Sequence, residues 1–248
     1  MSGPDGGAAG ERCSPGRRTL RGMHRSRGTL PLILSLALIL LTGFPVEAAS
    51  SVVATHGSRS APRVALTFDD GWSQSACRSI AQTLRAYGAT ATFFINGYHL
   101  RDDPEGWRAI LRGFPVANHT FSHPNLARTD ARGIEKQIRR NERIHEHVLG
   151  RPMLKILRPP FGAYDSEVLR VAGALGYRTT LLWDISAADT SSYATVSTTI
   201  RNASRGTSGS VVLMHCGPAS TPGAVASIIR SYRSRGYRLV GLGELFPG

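Results

Sequence analysis

The sequence predicts a single-domain α/β fold, a distorted (β/α) barrel. Three observations lead there. Short apolar runs alternate with stretches of helical spacing from residue 63 to residue 240. Several of the helical stretches end at a glycine. About seven or eight such strand-and-helix units follow one another, enough to close a parallel sheet on itself. An open doubly wound sheet is the alternative architecture.

Residues 63–67 (RVALT) form the first expected strand. Residues 73–87 have helical spacing, with Ile80, Leu84 and Tyr87 on one face, and stop at Gly88. A strand follows at 92–95 (TFFI), a helix at 104–112 with Pro104 in its first turn, and a short strand at 116–118. Residues 130–149 make a long helix ended by Gly150. Its buried face holds Ile134, Ile138 and either Ile144 or Val148, while His145 and His147 are expected on its solvated side. Then come a strand at 154–157, a helix at 166–175 closed by Gly176, and a strand at 178–183. A helix at 196–203, a strand at 210–214 (SVVLM), a helix at 222–235 and a short strand at 238–240 complete the chain.

Ahead of this pattern, residues 1–48 read as a signal peptide. Arginines run to Arg27, an apolar run spans 30–44, and small residues surround Ala48. The apolar run is shorter than the roughly 20 residues of a spanning helix, so no membrane span is expected after cleavage. Residues 49–61 are small and polar and read as a linker, leaving 62–248 as the domain. The expected product is a secreted, extracellular monomer, free or associated with a cell wall. The formal charge of +13 suits an anionic polymer or surface. No recognition motif points to nucleic acid. Cys77 and Cys216 remain beyond the signal; outside the cytoplasm they either pair or stay as two buried thiols.

In a barrel or an open sheet, chemistry belongs just past the carboxyl ends of the strands. Asp69 and Asp70 follow the first expected strand, His119 and His123 the third, Arg158 the fourth, Asp189 lies beyond the fifth, and His215 follows the sixth. Two histidines and a carboxylate, here Asp70, His119 and His123, are a normal donor set for a catalytic zinc. One helical turn over 119–123 would point both imidazoles the same way. Asp69 is placed to act as a base beside such a site, and His215 can carry a proton near neutral pH. Taken singly, each has an ordinary structural reading: a turn for Asp-Asp-Gly, a core histidine for His215.

The residues 67–71 (TFDDG), 118–123 (NHTFSH), 158–162 (RPPFG) and 213–215 (LMH) stand in the order found in polysaccharide deacetylases of carbohydrate esterase family 4, which this chain resembles over residues 62–246. The resemblance implies a distorted barrel with an active-site groove. It implies Asp69 as general base, Asp70, His119 and His123 as ligands of a divalent metal, usually zinc, and Arg158 as the partner that orients the base. The backbone N–H of Phe161 would help bind the oxyanion, and His215 would be the general acid, paired with Asp189. The implied reaction is metal-dependent hydrolysis of N-acetyl or O-acetyl groups on a polysaccharide: peptidoglycan first, with chitin oligomers and acetylxylan open. A glycan-binding module with little turnover is the rival. The fourth motif departs from the family, since Ser186 and Thr190 replace the usual Asp and Trp. Cys216 stands where the family often has Asp, and adjacent first and last barrel strands would bring it within reach of Cys77.

Overall fold

The structure, a computed structural model, describes residues 49–247. The expected signal peptide lies outside the described residues. The chain opens with strand β1 (Val52–Ala54), then β2 (Arg63–Asp70), α1 (Gln74–Ala86), β3 (Thr92–Ile95) and the short α2 (Gly97–Leu100). Next come α3 (Pro104–Leu111), β4 (Ala117–Asn118), a 3-10 turn (Leu126–Arg128), α4 (Ala131–Leu149) and β5 (Leu154–Leu157). A second 3-10 turn (Pro160–Gly162) leads to α5 (Ser166–Ala174), β6 (Thr179–Leu181) and β7 (Ile185–Ser186). The last part holds α6 (Val196–Ala203), β8 (Val211–His215), α7 (Ser220–Ser234), β9 (Arg238–Leu239) and α8 (Leu242–Leu245).

The strands pair in parallel as two ribbons, β1-β6-β5-β4 and β3-β2-β8-β7, with β9 on the start of β2. A parallel bridge between Phe93 and Val116 joins the ribbons on one side. On the other, the chain itself passes from β6 to β7 without a closing ladder. The protein is therefore an α/β fold of the expected class, a distorted (β/α) barrel in one domain. Its strand count is higher than the sequence suggests, because β1 and β7, only three and two residues long, add to the expected strands.

Residues 52–54 lie within the stretch expected to be a linker. They form β1, in register with residues 179–181 of β6, and Ser51 Oγ meets Thr180 Oγ1 at 2.8 Å. The polar company of this Val-Val-Ala stretch hides a strand from any composition argument.

The two-residue period of β2 sorts its side chains. Val64, Leu66 and Phe68 join the core beneath α1, α3 and α7, with Ile80, Leu84, Trp107 and Ile228. Ala65 faces the barrel interior with Phe94, Ala117, Ile156 and Val211. Asp69 has the parity of Ala65, so it rises inside the barrel mouth. In β8, His215 shares its parity with Val211 and lies directly beside Asp69 in register. Helix starts are capped by Ser73, Asp130, Asp165 and Thr195, each accepting from a backbone N–H of its own first turn. Such a cap is worth about 1 kcal/mol.

Two further expectations meet the structure differently. Cys77 of α1 and Cys216 are bridged, with Cα atoms 5.0 Å apart. His145 is not solvated: it is fully buried against α2, and its Nε2–H donates to the Ile95 carbonyl at 2.8 Å. Burial pulls its pKa down to about 4, despite that hydrogen bond.

Candidate active site

Eight side chains singled out in the sequence, or their backbone, come together at the mouth of the barrel. A cavity of about 220 Å³ is lined by Asp69, Asp70, His119, His123, Phe161 and His215, with Trp183, Leu213 and Thr190 completing the wall. Arg158 and Asp189 stand directly behind it. A larger cavity of about 880 Å³ lies among the starts of β5 and β6 and residues 245–247, away from this cluster. It holds neither of the carboxylates nor any of the three histidines, so the smaller one is the candidate site.

Backbone strain shapes the mouth. Asp70, Thr120, His123 and Phe161 all have φ between 60° and 69°, the left-handed region that non-glycine residues avoid. Each such residue costs on the order of 1–3 kcal/mol. Gly71 follows at φ 97°, where a Cβ would sit 2.8 Å from Ile95 Cγ2, so only glycine fits. The expected helical turn over 119–123 is absent, because side-chain amides hold that loop instead. Asn118 Oδ1 accepts from Thr120 N, Gln137 Oε1 accepts from the N–H groups of Phe121 and Ser122, and Asn96 Nδ2 donates to the His119 carbonyl. These bonds satisfy the loop while turning His119 and His123 toward Asp70.

Asp70 Oδ1 lies 3.2 Å from Nε2 of both His119 and His123. The three donor atoms lie within 4.8 Å of one another. His119 Nδ1 is 2.7 Å from the Arg158 carbonyl, which can only accept, so Nδ1 carries the proton. In the neutral ring Nε2 is then a bare lone pair aimed at a carboxylate oxygen. Asp70 Oδ1 is buried yet makes no hydrogen bond of good geometry, despite the two nearby nitrogens. A carboxylate oxygen and two imidazole nitrogens converging on one point are a donor set that a divalent cation satisfies. The residues therefore fit a metal of the kind that their types imply. Burial works against an ionised Asp70, but His119 and His123 outweigh it and hold its pKa below the usual carboxylate range.

Arg158 is fully buried, and four of its five N–H donors are bonded. Nη1 donates to Asp69 Oδ1 at 2.7 Å and to Thr67 Oγ1 at 2.8 Å, while Nε and Nη2 reach the carbonyls of Leu181 and Leu182. Its plane lies 4.2 Å over the Phe94 ring. The other oxygen, Asp69 Oδ2, faces the cavity 3.7 Å from His119 Nε2. Across the cavity, His215 Nδ1 meets Asp189 Oδ1 at 2.9 Å. Asp189 Oδ2 accepts from the His215 backbone N–H and from Thr221 Oγ1. Burial opposes a charged His215, but the Asp189 hydrogen bond and the charges of Asp69, Asp189 and Asp70 win and raise its pKa. Phe161 is exposed, its ring centroid 4.6 Å from that of His123. Gly162 and Ala163 N–H are taken by proline carbonyls, whereas Phe161 N–H has no such acceptor among the described residues.

Sequence reasoning missed Thr67, Thr221 and Gln137, and also Asn141, whose Nδ2 donates to Asn118 Oδ1 at 3.0 Å. Thr67 was legible, since it shares the inward parity of Asp69. Thr221 gave no signal; only the fold of α7 brings it to Asp189.

A parallel barrel with two carboxylates, three histidines and a buried arginine at one mouth defines a protein equipped for acid–base chemistry beside a cation site. Comparison with known proteins narrows this. The polysaccharide deacetylase family profile matches residues 56–180. The chain is 29% identical over 189 residues to a chitooligosaccharide deacetylase of Azorhizobium caulinodans, covering 70% of this chain and 90% of the relative. It is 30% identical over 187 residues to a peptidoglycan-N-acetylglucosamine deacetylase of Bacillus cereus, covering 73% and 87%. The crystal structure of the Bc1960 peptidoglycan N-acetylglucosamine deacetylase superposes with TM-score 0.74 at 29% identity, over 79% of this chain and 94% of that one. The chain belongs to the polysaccharide deacetylase family.

Proposed function

We propose that the protein hydrolyses acetyl groups from an N-acetylated or O-acetylated polysaccharide, with peptidoglycan as the favoured polymer. The observation that carries this is the convergence of an arginine-paired carboxylate, a three-donor cation cage and an aspartate-paired histidine around one cavity. Asp69 accepts the proton of the attacking water, and Arg158 fixes which of its oxygens faces the substrate. Phe161 N–H donates to the oxyanion as the carbonyl becomes tetrahedral. His215, oriented through Nδ1 by Asp189, offers its Nε2 proton to the sugar nitrogen or oxygen as acetate leaves. Asp70, His119 and His123 would hold a divalent cation, with zinc best suited to the set, and that cation would supply Lewis acidity to the reaction.

Relatives named for peptidoglycan and the basic charge support a wall polymer as substrate. Export by residues 1–48 and a monomer acting outside the cell, free or at the wall, complete the reading. Residues 49–61 then belong to the catalytic domain that continues to 248. Among the described residues no helix is long and apolar enough to cross a membrane.

Acetate release from a panel of acetylated glucosamine polymers, peptidoglycan strands and acetylxylan tests this directly. Release is expected from at least one amide-bearing polymer, lost on chelation and restored by zinc. Binding of these glycans without any release, at every cation supplied, would instead establish the rival binding-module reading.

A further inference from the structure

A further concavity meets the catalytic groove through one loop, since Phe121 lines the first while His119 and His123 line the second. It has a volume of about 350 Å³ and is lined by Arg101, Phe121, Arg140, Arg143, Ile144 and His147. The four α4 residues recur three and four positions apart, so they share one helix face. Two stacked arginines tie this concavity to the groove. Arg140 lies 3.6 Å over the ring of Phe121, in the segment between His119 and His123. Arg101 lies 4.9 Å over Tyr98, which lines a cavity of about 240 Å³ together with Ser122 and His123. Stacking occupies a guanidinium face and leaves its N–H edge free. Arg101 uses part of its edge on exposed Asp102, but neither Arg140 nor Arg143 has a hydrogen bond or carboxylate partner among the described residues. Their neighbour Arg139 does, bonding Glu135 at 2.7 Å. Unneutralised like charges three positions apart are unfavourable unless something anionic sits between them.

We propose that this concavity is an anion subsite, taking a carboxylate on a sugar or stem peptide next to the acetylated sugar in the groove. Planar guanidinium forks match carboxylate oxygens in pairs. The subsite rests on the deacetylase reading and sharpens it: it selects acidic strands, as peptidoglycan supplies, over neutral polymers of the same sugar.

The test uses length-matched peptidoglycan strands with free carboxylates and the same strands methyl-esterified. For the wild-type protein KM for the acid strand is expected to be about tenfold below that for the ester, a gap that narrows with salt. In R140Q/R143Q, and to a smaller degree in R143Q alone, KM for the acid strand should rise to the ester value with kcat unchanged. Calorimetric titration with already deacetylated strands gives the same contrast without turnover. Equal affinity of wild type for acid and ester, or an equal loss on both in the variants, overturns the subsite. If no acetate is released yet the acid–ester binding contrast stands and vanishes in R140Q/R143Q, the subsite survives and the catalytic reading falls.

Discussion

At the scale of single residues, the proposed reaction makes Asp189 and His215 the pair that sets the working pH. The acid must carry its proton, and Asp189 favours the charged imidazole against its burial. Activity should therefore hold as pH rises past the ordinary histidine range and fall only through the raised pKa. Removing the carboxylate charge in Asp189→Asn should move that falling limb to lower pH. A kcat–pH profile with an unmoved limb would exclude His215 as the acid. Arg158 makes a second residue-scale prediction. It is fully buried with Asp69 as its charged partner. Arg158→Met leaves that carboxylate unpaired and should lower stability by about 3–5 kcal/mol in urea unfolding, with a matching loss of activity.

Among the elements, α4 shows both what was legible and what was not. Its apolar stripe and its Gly150 stop were readable. His145 was misjudged because its charged neighbours dominate the composition. Spacing held the better clue, since Ile134, Ile138, Asn141, His145 and Val148 recur at intervals of four and three and are all buried. The consequence is measurable. The unfolded chain takes up a proton at this histidine from about pH 6.5, the folded chain only near pH 4. Between those values the unfolded state binds more protons, so stability falls as pH falls, by about 3 kcal/mol across the window. His145→Gln keeps a donor for the Ile95 carbonyl and should flatten that part of the stability–pH curve. A curve of unchanged slope would contradict a neutral, buried His145. The bridge between Cys77 and Cys216 ties the start of α1 to the end of β8, where His215 sits. C77S/C216S should lower stability by about 2–5 kcal/mol while the two strands stay hydrogen-bonded beside it.

For the whole molecule, the alternation of buried strands and amphipathic helices sufficed for the architecture, because parallel strands covered on both faces must be apolar throughout. Very short strands escaped: β1 and β7 carry too few residues for periodicity to register. The strand-end rule gathered the ionisable residues in advance, since a parallel barrel turns every strand end to one mouth. Loop geometry did not follow from that rule. The left-handed Thr120 and His123 depend on contacts from Asn118 and Gln137, the latter from another element, so no local propensity reveals them. In the proposed reaction, cation binding and proton transfer are thereby separable within one site. Asp70 and the two histidines face the cage, while Asp69 is held by Arg158 beside it.

That separation is tested most directly by measuring bound zinc and acetate release together in wild type, Asp69→Asn and His119→Ala. The account predicts one zinc per chain in the wild type and in Asp69→Asn, no release from Asp69→Asn, and loss of both metal and release in His119→Ala. Release at the wild-type rate from Asp69→Asn, or full zinc occupancy in His119→Ala, would contradict it.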